Sequence, residues 1–165
     1  NEFSNFARMP RPILKKINLV NLINQSLEFI KMTSTSSINF IPKNKKTFIH
    51  GDEDQLNRVF INLIKNSEEA FEENSEKDKN FKGIIDIEIN NNNDYINCRL
   101  TDNGPGITDP KKAMTPYFTT KKKGTGLGLP IVTKIINEHS GTISITNKKK
   151  GQGIMINISL PKINA

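Results

Sequence analysis

Two asparagines four residues apart, an aspartate before a Gly-Pro-Gly turn, and a run of alternating glycines are residues whose types and spacing can do chemistry. Asn62 and Asn66 fall on one face of a helix-patterned segment. Their carbonyl oxygens suit a hard cation such as magnesium, although the same pattern fits two solvated asparagines in an Asn-rich chain. Asp102-Asn103-Gly104-Pro105-Gly106-Ile107 directly follows a strand-like run. Its glycines let the backbone bend against a flat ligand, and a carboxylate at a strand end can accept from an exocyclic amine such as that of adenine. An ordinary Asn-Gly turn is the competing reading. Pro116-Tyr117-Phe118-Thr119-Thr120-Lys121 sets an aromatic pair beside hydroxyls and a lysine. That suits either a lid over a phosphate tail or a loop anchored by its aromatics. Gly124-Thr125-Gly126-Leu127-Gly128-Leu129 runs into a helix, where exposed N–H groups and the helix dipole favour anionic oxygens. It is neither of the two commonest phosphate loops. A dinucleotide fingerprint needs glycine where Leu129 stands, and a P-loop needs a Gly-Lys pair, which this chain lacks.

These segments must be positioned by regular elements. Apolar residues at helical spacing predict a helix over Leu19–Met32, through Leu19, Leu22, Ile23, Leu27 and Ile30. A stronger helix starts after Asp52, a good cap with Gln55 at the capping-box position. Leu56, Val59, Phe60, Leu63, Ile64, Ala70 and Phe71 form its stripe. Glu72–Lys82 reads as a polar loop. A third helix spans Leu127–Glu138, with Ile131, Val132, Ile135 and Ile136 inward. Ile38–Pro42 and Thr47–His50 are short β-like runs. Ile84–Ile89 and Tyr95–Leu100 flank the turn Asn90–Asp94 as a hairpin. Thr142–Thr146 and Ile154–Leu160 close the chain around the turn Lys148–Gly153. Strands outnumber helices and are mostly hairpin-linked, which predicts an α+β two-layer sandwich: a mixed sheet of about five strands with about three helices on one face. Asn1–Met9 reads as the tail of a helix stopped by Pro10 and Pro12, which points to something upstream.

The 165 residues make about one domain. The formal charge of +7 is spread over Lys45–Lys46, Lys121–Lys123 and Lys148–Lys150 with few aromatics between them. Stacking platforms for single strands interleave aromatics, so a solvated lysine surface and a nucleotide-neutralising middle cluster are favoured, and no nucleic-acid partner is expected. The single cysteine, Cys98, excludes a disulfide within the chain and reads as a small core residue. His50 and His139 have no neighbour at metal-ligand spacing. No run approaches the roughly 18 apolar residues of a membrane span, so this piece reads as soluble and suited to a reducing compartment.

In order and spacing, the four segments resemble the ATPase-kinase (GHKL) superfamily that includes DNA gyrase, the ninety-kilodalton heat-shock chaperone, MutL and the histidine kinases. Asn62–Asn66 looks like the N box, Asp102–Ile107 the G1 box, Pro116–Lys121 the F box and Gly124–Leu129 the G2 box. The resemblance spans roughly Lys16 to Pro161. Glu2–Pro10 and Asn66-Ser67-Glu68-Glu69-Ala70 are most similar to nitrogen-regulation sensor kinases of the NtrY type. The resemblance implies a Bergerat-type fold and, in residues 13–165, the ATP-binding catalytic domain of a sensor histidine kinase. Residues 1–12 would end a dimerisation and phosphotransfer hairpin. Asp102 would bind the adenine amino group, and Asn66 would hold magnesium with support from Asn62. Gly104, Gly106 and Ile107 would shape the adenine pocket, with Phe118, Thr119 and Lys121 in the lid. Gly124, Thr125, Gly126, Leu127, Gly128 and Leu129 would wrap the phosphates. The γ-phosphate would pass to a histidine upstream of residue 1, and then to an aspartate of a response regulator receiver domain. The implied parent is a homodimer anchored in the inner membrane, with this portion in the cytoplasm.

The departures from the family pattern are informative. Hydrolysing relatives carry a glutamate, the base for water, where Asn62 stands, so the chain is read as a kinase. A gyrase- or MutL-type ATPase and an anti-sigma-type protein-serine kinase are the alternatives. Many histidine kinases carry a lysine and an aromatic where this chain has Glu69 and Ala70. Ile154 stands where a small or hydroxyl residue is common.

Overall fold

The computed structural model describes residues 9–115, 128–149 and 152–164. In chain order the elements are β1 (Lys15–Asn18), α1 (Leu19–Lys31), β2 (Ser37–Phe40), β3 (Phe48–Gly51), α2 (Glu53–Lys77), β4 (Ile84–Asn91), β5 (Tyr95–Asp102), α3 (Pro110–Ala113), α4 (Gly128–Glu138), β6 (Thr142–Asn147) and β7 (Ile154–Pro161). Five strands form one sheet in the order β2-β4-β5-β7-β6, and β1 pairs with β3 in a separate two-stranded ribbon. In the large sheet β2 runs parallel to β4 and the other pairs are antiparallel. This is the expected mixed sheet with helices on one face.

The period-2 alternation of the strands decides which face is covered. Ile85, Ile87 and Ile89 of β4, Ile96, Cys98 and Leu100 of β5, and Ile156, Ile158 and Leu160 of β7 are buried. They are brought opposite one another by pairs such as Ile87↔Leu100 and Leu100↔Ile156. The helix stripes close over them, led by Leu19, Ile23, Leu56, Leu63, Ile64, Ile131 and Ile135. The other face is polar: Asn39 donates to Asp86 at 2.8 Å, Arg99 to Asn157 at 3.2 Å, and Ser159 bonds Asn97. Cys98 lies in the core, where burial pushes its thiol up to about 12, so it is an inert packing residue.

The predicted elements differ from the observed ones at three places. First, Glu72–Lys82 is not a loop throughout, since α2 continues to Lys77. Phe71 still anchors this extension, Glu73 and Lys77 pair across one turn at 3.3 Å, and the intervening residues are mostly good helix formers. Second, the two short β-like runs go to different sheets, because β2 pairs with β4 and β3 with β1. Third, β1 has no hydrophobic alternation to announce it. It forms because Lys15–Asn18 lies antiparallel to Phe48–Gly51 and feeds directly into α1. There the Asn18 side chain and the buried Thr47 hydroxyl both accept from the N–H of Val20. Met9–Leu14, the stretch that holds Pro10 and Pro12, has no helical turn. The rest of the expected hairpin tail, residues 1–8, lies outside the described residues.

The start of α2 is a junction. The Asp52 carboxylate caps the helix by accepting from the N–H of Gln55 at 3.1 Å, and also accepts from the N–H of Ile13 at 2.9 Å. The capping box is only half formed. The Gln55 side chain donates to the carbonyl of Pro10 at 2.8 Å, and the N–H of Asp52 donates to Nε2 of His139 at 3.0 Å. His139 is buried, and its Nδ1 lies 2.7 Å from the Ile135 carbonyl, which can only accept. Nδ1 therefore carries the proton and both ring nitrogens are engaged.

Burial alone would raise the Asp52 carboxyl above its ordinary value of 3.8. The backbone N–H groups of Ile13 and Gln55 outweigh that and hold it below. A lowered folded value means the stabilisation is complete above pH 3.8 and is lost as the pH falls through the folded value. Asp52→Ala is expected to lower the unfolding free energy by about 1–2 kcal/mol near neutral pH. Urea denaturation should show the gap between wild type and Asp52→Asn closing below that carboxyl range.

Candidate functional site

At the C-terminal end of β5 the alternation that buries Ile96, Cys98 and Leu100 reaches Asp102, which is only 3% exposed. The register sets this carboxylate opposite Ile85, on the helix-covered face. A buried carboxylate requires donors, and three are supplied by separate parts of the chain. Oδ2 accepts from the hydroxyl of Ser67 on α2 at 2.6 Å. Oδ1 accepts from the N–H of Gly104 at 3.0 Å and from the N–H of Ile154, at the start of β7, at 3.1 Å. The site thus joins the long helix, the loop after β5 and the last strand.

The loop is fixed by two asparagine clamps. Asn103 accepts from the N–H of Ile84 at 2.7 Å and donates to the carbonyl of Lys82 at 2.9 Å. Asn147, at the end of β6, accepts from the N–H of Ile107 at 2.8 Å and donates to its carbonyl at 2.7 Å. Two glycines are required by geometry. Gly106 has φ +81°, and Gly153 has φ +106° where a Cβ would lie 1.9 Å from the Asp102 carbonyl oxygen. Phe71 walls the loop from beneath: a Cβ on Gly104 would meet its ring at 3.3 Å, and the same ring stacks at a tilt on Phe81, with centroids 5.6 Å apart.

Asn62 and Asn66 are half-buried on α2, one turn apart. The carboxamide of Asn66 faces the first residue of α4, since a Cβ on Gly128 would lie 3.4 Å from both its oxygen and its nitrogen. The structure therefore brings Asn66, Ser67, Asp102, Gly104 and Gly128 around α2, and Leu129 and Ile107 pack against the core beside them. Phe118, Thr119, Lys121, Gly124, Thr125, Gly126 and Leu127 lie outside the described residues. Just ahead of the lid segment, Asp109–Thr115 is described. It starts as the single turn of α3, capped by Asp109 accepting from Lys112 at 3.2 Å.

Sequence reasoning missed Ser67, Asn147 and Gly153. Ser67 carried a usable signal. It continues the stripe Leu63–Ser67–Phe71, where a hydroxyl must find a buried partner. Asn147 and Gly153 act only through contacts with the distant loop and left no local pattern.

Compared with known proteins, residues 51–164 match the family model described as histidine kinase-, DNA gyrase B-, and HSP90-like ATPase. The chain is 35% identical over 158 residues to a putative sensor histidine kinase NtrY-like of Rickettsia bellii, covering 94% of this chain and 25% of that protein. It is 30% identical over 162 residues to the nitrogen regulation protein NtrY of Azorhizobium caulinodans, covering 97% of this chain and 21% of that one. The chain thus spans about a quarter of the length of these relatives. Among solved structures, the catalytic domain of the histidine kinase ThkA superposes with a TM-score of 0.75 at 27% identity, covering 91% of this chain and 96% of that one.

The two glycine environments make opposite predictions. Gly153→Ala forces a Cβ onto backbone in a left-handed conformation, and should lower the unfolding free energy by about 3 kcal/mol or more. Gly128→Ala meets only ordinary contacts, and should shift it by no more than about 1 kcal/mol. Thermal or urea unfolding of both variants checks the pair.

Proposed function

We propose, for a chain that belongs to the family of histidine kinase-, DNA gyrase B- and HSP90-like ATPases, that it binds ATP and donates the γ-phosphate to a histidine outside residues 1–165. The observation that carries this reading is the buried Asp102 carboxylate, set at a strand end beside a glycine loop and facing the asparagine helix. Its relatives are named sensor histidine kinases. With Asn62 where hydrolysing enzymes need a proton-accepting glutamate, transfer to a side chain is favoured over transfer to water.

Asp102 takes the adenine amino group, and Gly104, Gly106 and Ile107 shape the pocket around the base. Phe118, Thr119 and Lys121 belong to the lid. Gly124, Thr125, Gly126, Leu127, Gly128 and Leu129 offer backbone N–H groups to the phosphates at the start of α4. Asn66, with Asn62 beside it, would hold magnesium through a carboxamide oxygen, and the ion would supply charge neutralisation on the phosphates. Among the described residues no three acidic, His or Cys side chains gather into a metal cage. A single protein oxygen with phosphate and water oxygens is a donor set that magnesium accepts. The protein's own contribution is positioning and electrostatics.

Residues 13–165 form the catalytic domain in this reading, and residues 1–12 join it to a dimerisation and phosphotransfer hairpin. The phosphate then moves to the receiver domain of a response regulator. The parent is a homodimer anchored in the inner membrane, with this domain in the cytoplasm. Neither histidine of this chain is the acceptor: His50 sits on a strand of the small ribbon, and both nitrogens of His139 hold backbone groups.

Calorimetric titration with ATP and magnesium tests the site. Asp102→Asn, which swaps an acceptor for a donor, should weaken binding by at least about tenfold. Unchanged tight binding in the folded variant would sink the assignment. Incubation with labelled ATP should leave no stable phosphohistidine on this chain alone.

A further inference from the structure

The Ser67–Asp102 pair goes a step beyond the adenine reading, on which it rests. An ionised carboxylate offers about four acceptor positions. Among the described residues, Gly104 and Ile154 occupy Oδ1, and Ser67 occupies one position on Oδ2. The described residues leave one acceptor position on Oδ2. Ser67 is 1% exposed and sits next to Asn66 on α2, so its hydroxyl is held by the helix rather than by solvent. Because its hydrogen is committed to Asp102, its oxygen has only acceptor capacity left. The pair then presents acceptors and no donor.

We infer that Ser67 is a positioning and base-selecting residue: its hydroxyl fixes the Asp102 carboxylate as an acceptor, so that the site takes a 6-amino purine and rejects a 6-oxo purine. A 6-amino group donates into this arrangement. A 6-oxo group brings a lone pair against two others, with no proton between them. Without the Ser67 hydroxyl, Oδ2 loses the donor that sets its direction. Gly104 and Ile154 still hold Oδ1, but Oδ2 no longer has a donor that reserves it for a 6-amino group.

The test is titration of the whole chain with magnesium ATP and magnesium ITP, for wild type, Ser67→Ala, Ser67→Cys and Asp102→Asn, with the melting temperature of each. Both Ser67 variants remove the strong hydroxyl donor while adding little or no bulk. Each should weaken ATP roughly tenfold and ITP far less, so that the ATP-to-ITP preference falls by about the same factor. A folded Ser67→Ala or Ser67→Cys that keeps the wild-type preference, even with a lowered melting temperature, reduces Ser67 to a structural residue and overturns the inference. The Asp102→Asn arm separates this from failure of the underlying reading, which would show as ATP binding indifferent to Asp102.

Discussion

A carboxylate taken out of water is unfavourable by several kcal/mol unless donors meet it. Asp102 is such a group, and its neighbourhood is arranged around that requirement. Ser67 comes from the long helix, Gly104 from the loop that follows, and Ile154 from the strand beside β5. The close approach of β7 is possible only because Gly153 has no side chain to strike the Asp102 carbonyl. The two asparagine clamps then hold the loop in the shape that presents Gly104 to the carboxylate. Moving any one of these would leave a buried charge short of a partner.

The opposite end of α2 is built on the same principle. Asp52 caps the helix, ties down Ile13, and hands its own N–H to His139 at the end of α4. The extended approach through Pro10 to Leu14, the ribbon of β1 and β3, and the two helices α2 and α4 meet there. The helix carrying Asn62, Asn66 and Ser67 is thereby fixed at its start by Asp52 and along its length by the packed stripe through Phe71. A side chain that reads in sequence as a stray histidine is in fact a structural acceptor.

The large elements were legible because their signals are local. The stripes of α1, α2 and α4 and the alternation of β4, β5 and β7 each depend on one segment's own pattern. The ordered boxes at Asn62–Asn66, Asp102–Ile107 and Gly124–Leu129 pointed to the family that residues 51–164 match. What failed were features decided between distant segments. β1 exists because Phe48–Gly51 accepts it, and β2 is parallel because it pairs with β4 across an intervening helix. The last turns of α2 looked too polar for a helix because their support is one exposed ion pair and intrinsic propensity, not burial.

The parallel pairing of β2 with β4 also sets an order of events. The segment between those strands contains β3 and all of α2, so the asparagine helix is itself the crossover that a parallel pair requires. It can lie flat only once β4 has arrived. The carboxylate at the end of β5 in turn waits for Ile154, the third of its donors, some fifty residues later. During synthesis from the N-terminus, the chain therefore has its helices before it has a finished pocket. The site closes only as the last strand emerges, so a chain truncated before β7 would carry every box yet lack the contact that completes them.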